Sequence, residues 1–247
     1  MSSDDTDGPC DADMAALLIR CLDLTSLNEG DDAVVVEALA ERGLKHQVAA
    51  LCINPELVSV AIQALRSSDV KVATVANFPD GGDDIGAVAE ETERAVGAGA
   101  HEVDIVAPIA AVKAGDVGIV DDLIGLCRDA AGPDTVLKLI LETGALETPD
   151  RIVAVSRAAV MAGIDFLKTS TGKIKVGATM EAASAMLEVS AESGGLVGFK
   201  ASGGVRTADQ AAGYFRLAQS KLGPDWPTPR RFRIGASSLL DDLLKAG

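Results

Sequence analysis

The chain has 247 residues, is 48% hydrophobic and carries a formal net charge of −15 at pH 7. That size and apolar content suit one large α/β domain or two small ones, and the negative charge argues against nucleic acid or an anionic membrane as partner. No apolar run approaches a membrane span, and the four cysteines (Cys10, Cys21, Cys52 and Cys127) lie far apart with no Cys-x-x-Cys spacing, so they read as reduced thiols of a cytoplasmic protein.

Residues 1–12 are acidic and polar, which predicts a disordered start with no signal peptide, followed by a single domain over 13–247. Met14 to Arg20 has helical spacing, an extra helix ahead of the first strand at Cys21 to Thr25. Asp32 to Arg42 reads as a helix, Val48 to Ile53 as a strand closed by Asn54-Pro55, and a further helix runs to about Arg66. The unit then recurs: strands at Val70–Ala76, Glu102–Val106, Val136–Leu141, Ile164–Thr169, Leu196–Ala201 and Phe232–Ala236, each followed by a helical stretch. Eight strand–helix units in about 250 residues match a closed (β/α)8 TIM barrel, an α/β fold with a parallel sheet. The alternative, a doubly wound open sheet, calls for a Gly-rich nucleotide turn after the first strand, and Asp23-Leu24-Thr25-Ser26 is not one.

Residue parity within the strands points to a site. Val103 and Ile105 oppose Glu102 and Asp104; Leu137, Leu139 and Leu141 oppose Lys138, Ile140 and Glu142; Leu167 opposes Lys168; Phe199 opposes Lys200. The apolar face suits the surrounding helices, and the other face collects Asp23, Asp104, Lys138, Glu142, Lys168 and Lys200. In a barrel these side chains converge on one axis. So much buried charge is poorly explained by stability and reads as an active site near the carboxyl ends of the strands.

Three lysines among carboxylates suit amine catalysis. Two ammonium groups about 6 Å apart repel by roughly 3 kcal/mol at an effective dielectric near 20, enough to lower one pKa by about two units. One lysine can then attack a carbonyl as a neutral amine, while a carboxylate and a water move protons. Lys168, at a strand end before a Thr-Ser-Thr-Gly turn, is the candidate nucleophile; a lysine reaching out to water is the bland alternative. Three turns follow the last three strands: Thr171-Gly172-Lys173, Gly203-Gly204-Val205-Arg206, and Gly235 with Ser237 and Ser238. Their glycines and the helix starts behind them suit an anion, which predicts a phosphorylated substrate.

These residues carry a resemblance. Leu22-Asp23-Leu24-Thr25, Glu102-Val103-Asp104-Ile105-Val106, Leu141-Glu142-Thr143-Gly144, Phe166-Leu167-Lys168-Thr169-Ser170-Thr171-Gly172-Lys173, Gly198-Phe199-Lys200 and Gly235-Ala236-Ser237-Ser238 resemble the deoxyribose-phosphate aldolases, a family of class I aldolases, from about Leu22 to Leu244. The resemblance implies cleavage of 2-deoxy-D-ribose 5-phosphate to acetaldehyde and D-glyceraldehyde 3-phosphate, without cofactor or metal. It makes Lys168 the Schiff-base lysine, Lys200 the lysine that tunes it and Asp104 the proton-relay carboxylate. Asp23 and Lys138 would support the network, and the last loops would hold the phosphate. Cys52 matches a family cysteine, with packing as its expected role. The implied partners are phosphosugar and aldehyde substrates, with a homodimer or larger homo-oligomer as the expected assembly.

Two features depart from the family pattern. Some members end in a tail whose terminal tyrosine reaches the site; the only tyrosine here, Tyr214, falls in a helix, which leaves proton transfer to Asp104 and water. Ala201-Ser202 stands where the family more usually has Pro-Ala. Three rival readings compete with this one. A metal-dependent aldolase would need a histidine cluster, and the chain has only His46 and His101. An amine-using barrel aldolase for a keto acid or ketose phosphate would use the same residues. A phosphosugar-binding regulator without catalysis would have no need of Lys168, Lys200 and Asp104 together.

Overall fold

The computed structural model describes residues 8–247. Its strands are β1 (Leu22–Ser26), β2 (Ala50–Ile53), β3 (Lys71–Ala76), β4 (Glu102–Val106), β5 (Val136–Ile140), β6 (Phe166–Lys168), β7 (Gly198–Ser202) and β8 (Phe232–Ala236). All pair in parallel with their sequence neighbours, and β8 closes on β1. The (β/α)8 barrel is therefore the fold.

The helices are α1 (Ala12–Arg20), α2 (Ala33–His46), α3 (Val58–Ala64), α4 (Ile85–Gly97), α5 (Ile109–Ala114), α6 (Gly118–Ala131), α7 (Thr143–Leu146), α8 (Pro149–Met161), α9 (Met180–Glu192), α10 (Ala208–Leu222) and α11 (Leu239–Ala246). Several begin where the sequence supplies a cap. Asp11, Asp32, Asp84, Thr179 and Thr207 each accept from a backbone N–H of the first turn, each contributing about 1 kcal/mol. Thr207 and Gln210 complete a reciprocal capping box. The short α5 and α7 were not legible in the sequence, since each is too brief to set up a helical period. Among the described residues no helix is long and apolar enough to cross a membrane.

Of the twelve N-terminal residues predicted to be disordered, 1–7 lie outside the described residues, and the rest are placed. The carbonyls of Gly8 and Pro9 accept from Arg216 of α10, and the Cys10 N–H donates to Asp209 at 2.7 Å. Asp11 caps α1, and Leu18 of that helix is fully buried in the main core.

Strand parity divides the molecule into two interiors. Outward-facing Leu22, Leu24, Val103, Ile105, Leu137, Leu139, Leu167, Phe199 and Ile234 pack in one apolar cluster with Val120, Leu123 and Ile124 of α6 and the inner faces of the other helices. Burial of each such side chain contributes roughly 1.5 to 3 kcal/mol. Inside the barrel, the β2–β3 side is lined by the small cluster of Ala50, Cys52, Ala73 and Val75. The remaining strands fill the barrel with charge. The alternation predicted along β5 stops at Ile140, because Glu142 takes a left-handed conformation (φ +51°) and turns out of the strand.

Candidate active site

Pairing register brings the charged side chains together. Asp104 lies beside Lys138 across β4–β5, Lys168 beside Lys200 across β6–β7, and Lys200 beside Arg233 across β7–β8. Inward-pointing residues on neighbouring strands then meet in layers, as barrels require. Gly235 makes this possible, since a Cβ there would sit 2.9 Å from Cε of Lys200.

Asp104 is the hub. Its Oδ1 accepts from Lys138 at 2.7 Å, and its Oδ2 accepts from both Lys168 and Lys200, each at 2.7 Å. Lys200 also donates to Asp23 Oδ2 at 2.5 Å, and Lys138 pairs with Glu102 Oε2 at 2.6 Å. Arg233 closes the floor of the barrel, donating to Asp23 Oδ1 at 2.6 Å and to Glu102 Oε1 at 2.7 Å. Every member is almost wholly shielded from solvent.

Charge and burial compete at each group. Burial raises the carboxylate pKa values of Asp23, Asp104 and Glu102, but the surrounding cations win and all three lie below the usual range. Burial lowers those of Lys138 and Lys200, but their carboxylates win, and both lie above the ordinary lysine value. Lys168 goes the other way. Burial is the largest influence, opposed by Asp104 and reinforced by Lys200, and the amine lies below the ordinary value. The positive charge of Lys200 acts in the same direction as burial, and less strongly.

Lys168 is also the lysine that reaches open space. It lines a cavity of about 250 Å³ together with Thr171–Lys173, Ser202–Arg206 and Gly235–Ser238, the three predicted turns. Thr25 to Asn28, at the end of β1 and just beyond it, form a further wall and were not predicted; nothing in that segment has the Gly-rich signature of an anion loop. Gly172, Gly203 and Gly204 have φ of +79°, +84° and +87°, a region that side chains disfavour. Gly177 packs so closely on this loop that a Cβ would lie 2.1 Å from the Gly203 carbonyl oxygen. Ser202, at the departure from the family pattern, donates to the Ser170 carbonyl at 2.5 Å and ties the two loops together. The first turn of α11 begins at the cavity wall after Ser238, which has no side-chain cap bond, so its N–H groups remain available to an anion.

The other predicted residues are placed as follows. Lys173 and Arg206 stand at the exposed rim, with Lys173 Nζ donating to the Leu27 carbonyl at 2.6 Å and lying 5.9 Å from the centre of the Phe78 ring. Cys52 is fully buried among small residues, and burial raises its thiol pKa above the usual value. Glu142, expected to converge with the lysines, is buried near Lys168 but makes no hydrogen bond to it, and accepts from the hydroxyl and N–H of Thr171. Burial raises its carboxyl above the usual range, and its Oε1 has no protein partner.

Sequence reasoning missed Arg233 and left Glu102 out of the converging set. The signal was there: Phe232-Arg233-Ile234 repeats the pattern of Leu137-Lys138-Leu139, and Glu102 shares the parity of Asp104. Among the described residues no three His, Cys, Asp or Glu side chains are arranged to hold a metal ion.

Comparison with known proteins places this arrangement. The model of the DeoC/LacD family aldolases matches residues 17–245. A structure of a "putative deoxyribose-phosphate aldolase" from Coccidioides immitis is 30% identical, with a TM-score of 0.84 over 94% of this chain and 86% of that one. The aldolase QR15 is 27% identical, with a TM-score of 0.79 over 92% and 96% of the two chains. The deoxyribose phosphate aldolase of Aeropyrum pernix, described as a tetramer, is 21% identical with a TM-score of 0.76 over 100% and 98%, a likeness of fold.

Proposed function

The chain belongs to the DeoC/LacD aldolase family, and from that membership we propose that it is a metal-independent class I deoxyribose-phosphate aldolase, reversibly cleaving 2-deoxy-D-ribose 5-phosphate to D-glyceraldehyde 3-phosphate and acetaldehyde. One observation carries this reading. Of the three interior lysines, Lys168 alone has a depressed amine, and it alone lines the cavity whose other walls are the anion-suited loops.

The residues support the following steps. The neutral amine of Lys168 adds to the C1 aldehyde, and uptake of one proton with loss of water gives an iminium. Neutral Lys168 no longer holds Asp104 Oδ2 as an ammonium does, so that oxygen can engage a water. Through this water the proton of the C3 hydroxyl leaves, the C2–C3 bond breaks and its electron pair moves into the iminium, forming an enamine. Because its cations hold Asp104 well below the usual range, it keeps the proton only in passing. Protonation of the enamine at C2 and hydrolysis release acetaldehyde and restore Lys168.

Across the cavity, the backbone N–H groups of the Gly172, Gly203–Gly204 and Ser237–Ser238 turns, with the start of α11, would bind the 5-phosphate. That places the sugar chain between the loops and the lysine. The activity serves catabolism of deoxyribose phosphate, and the protein would work in the cytoplasm.

The test is a substrate panel. Release of glyceraldehyde 3-phosphate from 2-deoxyribose 5-phosphate, followed through a coupled NADH assay, is expected to exceed cleavage of any ketose phosphate or keto acid. Cleavage of a ketose phosphate with 2-deoxyribose 5-phosphate untouched would refute the proposed substrate.

A further inference from the structure

The interior of the barrel holds an odd cation. Asp23, Glu102 and Asp104 supply three negative charges, and Lys138, Lys168, Lys200 and Arg233 can supply four positive ones. The hydrogen bonds show which cation is left over. Arg233 takes Glu102 Oε1 and Asp23 Oδ1, with a further contact to Glu102 Oε2 at 3.1 Å. Lys138 has Glu102 and Asp104, and Lys200 has Asp23 and Asp104. Lys168 has a single carboxylate oxygen, Asp104 Oδ2, and shares it with Lys200.

Other groups facing Lys168 do not repair the imbalance. Cys52 of β2 is a thiol whose pKa burial raises, and Glu142 after β5, a nearby carboxyl whose pKa burial also raises, makes no hydrogen bond to Lys168 and commits Oε2 to Thr171. Beyond them, the titratable neighbours are Asp104 and Glu102 of β4, Lys138 of β5, Lys200 of β7, Asp23 of β1 and Arg233 of β8.

We propose that Arg233, which does not contact Lys168, is a positioning residue for the aldolase reaction: by occupying Glu102 and one oxygen of Asp23 at the barrel floor, it obliges Lys138 and Lys200 to lean on Asp104 and leaves Lys168 as the cation that gives up its proton. This rests on the reading of Lys168 as the nucleophile. The guanidinium suits the task because it stays charged and its fork spans two carboxylates at once. Its Nε is anchored at 2.5 Å to the Pro229 carbonyl, which fixes the fork from outside the barrel. Without Arg233, three lysines would face three carboxylates, Lys138 and Lys200 would turn to Glu102 and Asp23, and Asp104 would be left to hold Lys168 as an ammonium.

The proposal is tested without relying on aldolase turnover, by following reductive methylation of Lys168 with formaldehyde and cyanoborohydride across pH, with peptide mass mapping. In the native protein the midpoint for Lys168 is expected below the ordinary lysine value of about 10.4. Arg233→Met is expected to move it up by roughly one pH unit, a tenfold loss of modification at fixed lower pH, the scale of one uncompensated charge at an effective dielectric near 20. Arg233→Lys, which keeps the charge, should stay near the native midpoint. Arg233→Met with Glu102→Gln removes one charge of each sign and should return towards it, and Glu102→Gln alone should move it down. If Arg233→Met fails to fold, the comparison of Glu102→Gln with the double variant decides, the double variant lying higher. Equal midpoints in that pair, or Arg233→Met and the double variant shifting alike, overturn the proposal. A native midpoint at the ordinary lysine value would instead remove Lys168 as the nucleophile, a failure distinguishable from this one.

Discussion

Lys168 and Lys200 donate to the same oxygen, Oδ2 of Asp104, each at 2.7 Å. Two ammonium groups on one lone-pair region repel, and the better-paired one keeps its proton. Lys200 has Asp23 as well, so Lys168 is the one to yield. The central chemical claim follows from this asymmetry.

Lys200→Leu should therefore raise the pKa of Lys168, by removing a like charge and by leaving Asp104 Oδ2 to it undivided. Because the reaction needs a neutral amine, the acidic limb of the kcat/KM profile should move to higher pH, by up to about two units, with a large loss at pH 7. Burial remains, so the amine should stay below a solvated lysine. The measurement is a pH–rate profile of both proteins. A limb that does not move would assign all the tuning to desolvation.

Acid stability should follow the carboxylates. Asp23, Glu102 and Asp104 have depressed pKa values in the fold, so they contribute stability that is fully present above about pH 4, the unfolded range, and is lost as pH falls below it. Thermal unfolding midpoints should be level from neutral pH to about 4 and then drop. Asp104→Asn leaves three buried lysines around an amide; it should cost about 3 to 5 kcal/mol and flatten the acid slope. An acid slope unaffected by that substitution would mean the hub is not the source.

Phosphate recognition should be worth much of the catalytic efficiency. Charge-assisted hydrogen bonds contribute roughly 1.5 to 3 kcal/mol each, and binding energy remote from the breaking bond can orient it. Unphosphorylated 2-deoxyribose should lose two or more powers of ten in kcat/KM. Ser237→Asp, with a like charge in the cavity wall, should damage the phosphorylated substrate far more than the free sugar. Equal damage to both would place the phosphate elsewhere.

Activity should survive prolonged EDTA treatment, since the proposed route uses the Lys168 iminium as the electron sink. Loss on chelation, restored by zinc, would favour the metal-dependent reading.

The sequence made the barrel and most of its interior legible because the physics there is periodic. Buried parallel strands alternate strictly, so parity alone put Asp104, Lys138, Lys168 and Lys200 on one face, and register then brought them within bonding distance. Arg233 escaped because an arginine in an apolar strand invites the reading of a side chain reaching outward, and only closure of β8 on β1 shows that Asp23 awaits it. Glu142 lies near Lys168, but strand parity is not what puts it there. Parity holds only while the strand does, and a left-handed residue ends it. The wall at Thr25 to Asn28 carries no local signal; it joins the site because β8 closes on β1, which sets this segment beside the Gly235–Ser238 turn.

The most direct test of the account is borohydride trapping. The protein is incubated with 2-deoxyribose 5-phosphate or acetaldehyde, reduced, digested and mapped by mass spectrometry, with Lys168→Leu as control. The account predicts a single covalent adduct on the peptide containing Lys168, absent from a folded Lys168→Leu protein that has also lost turnover. An adduct on Lys138 or Lys200, or turnover without any trapped adduct, would contradict it.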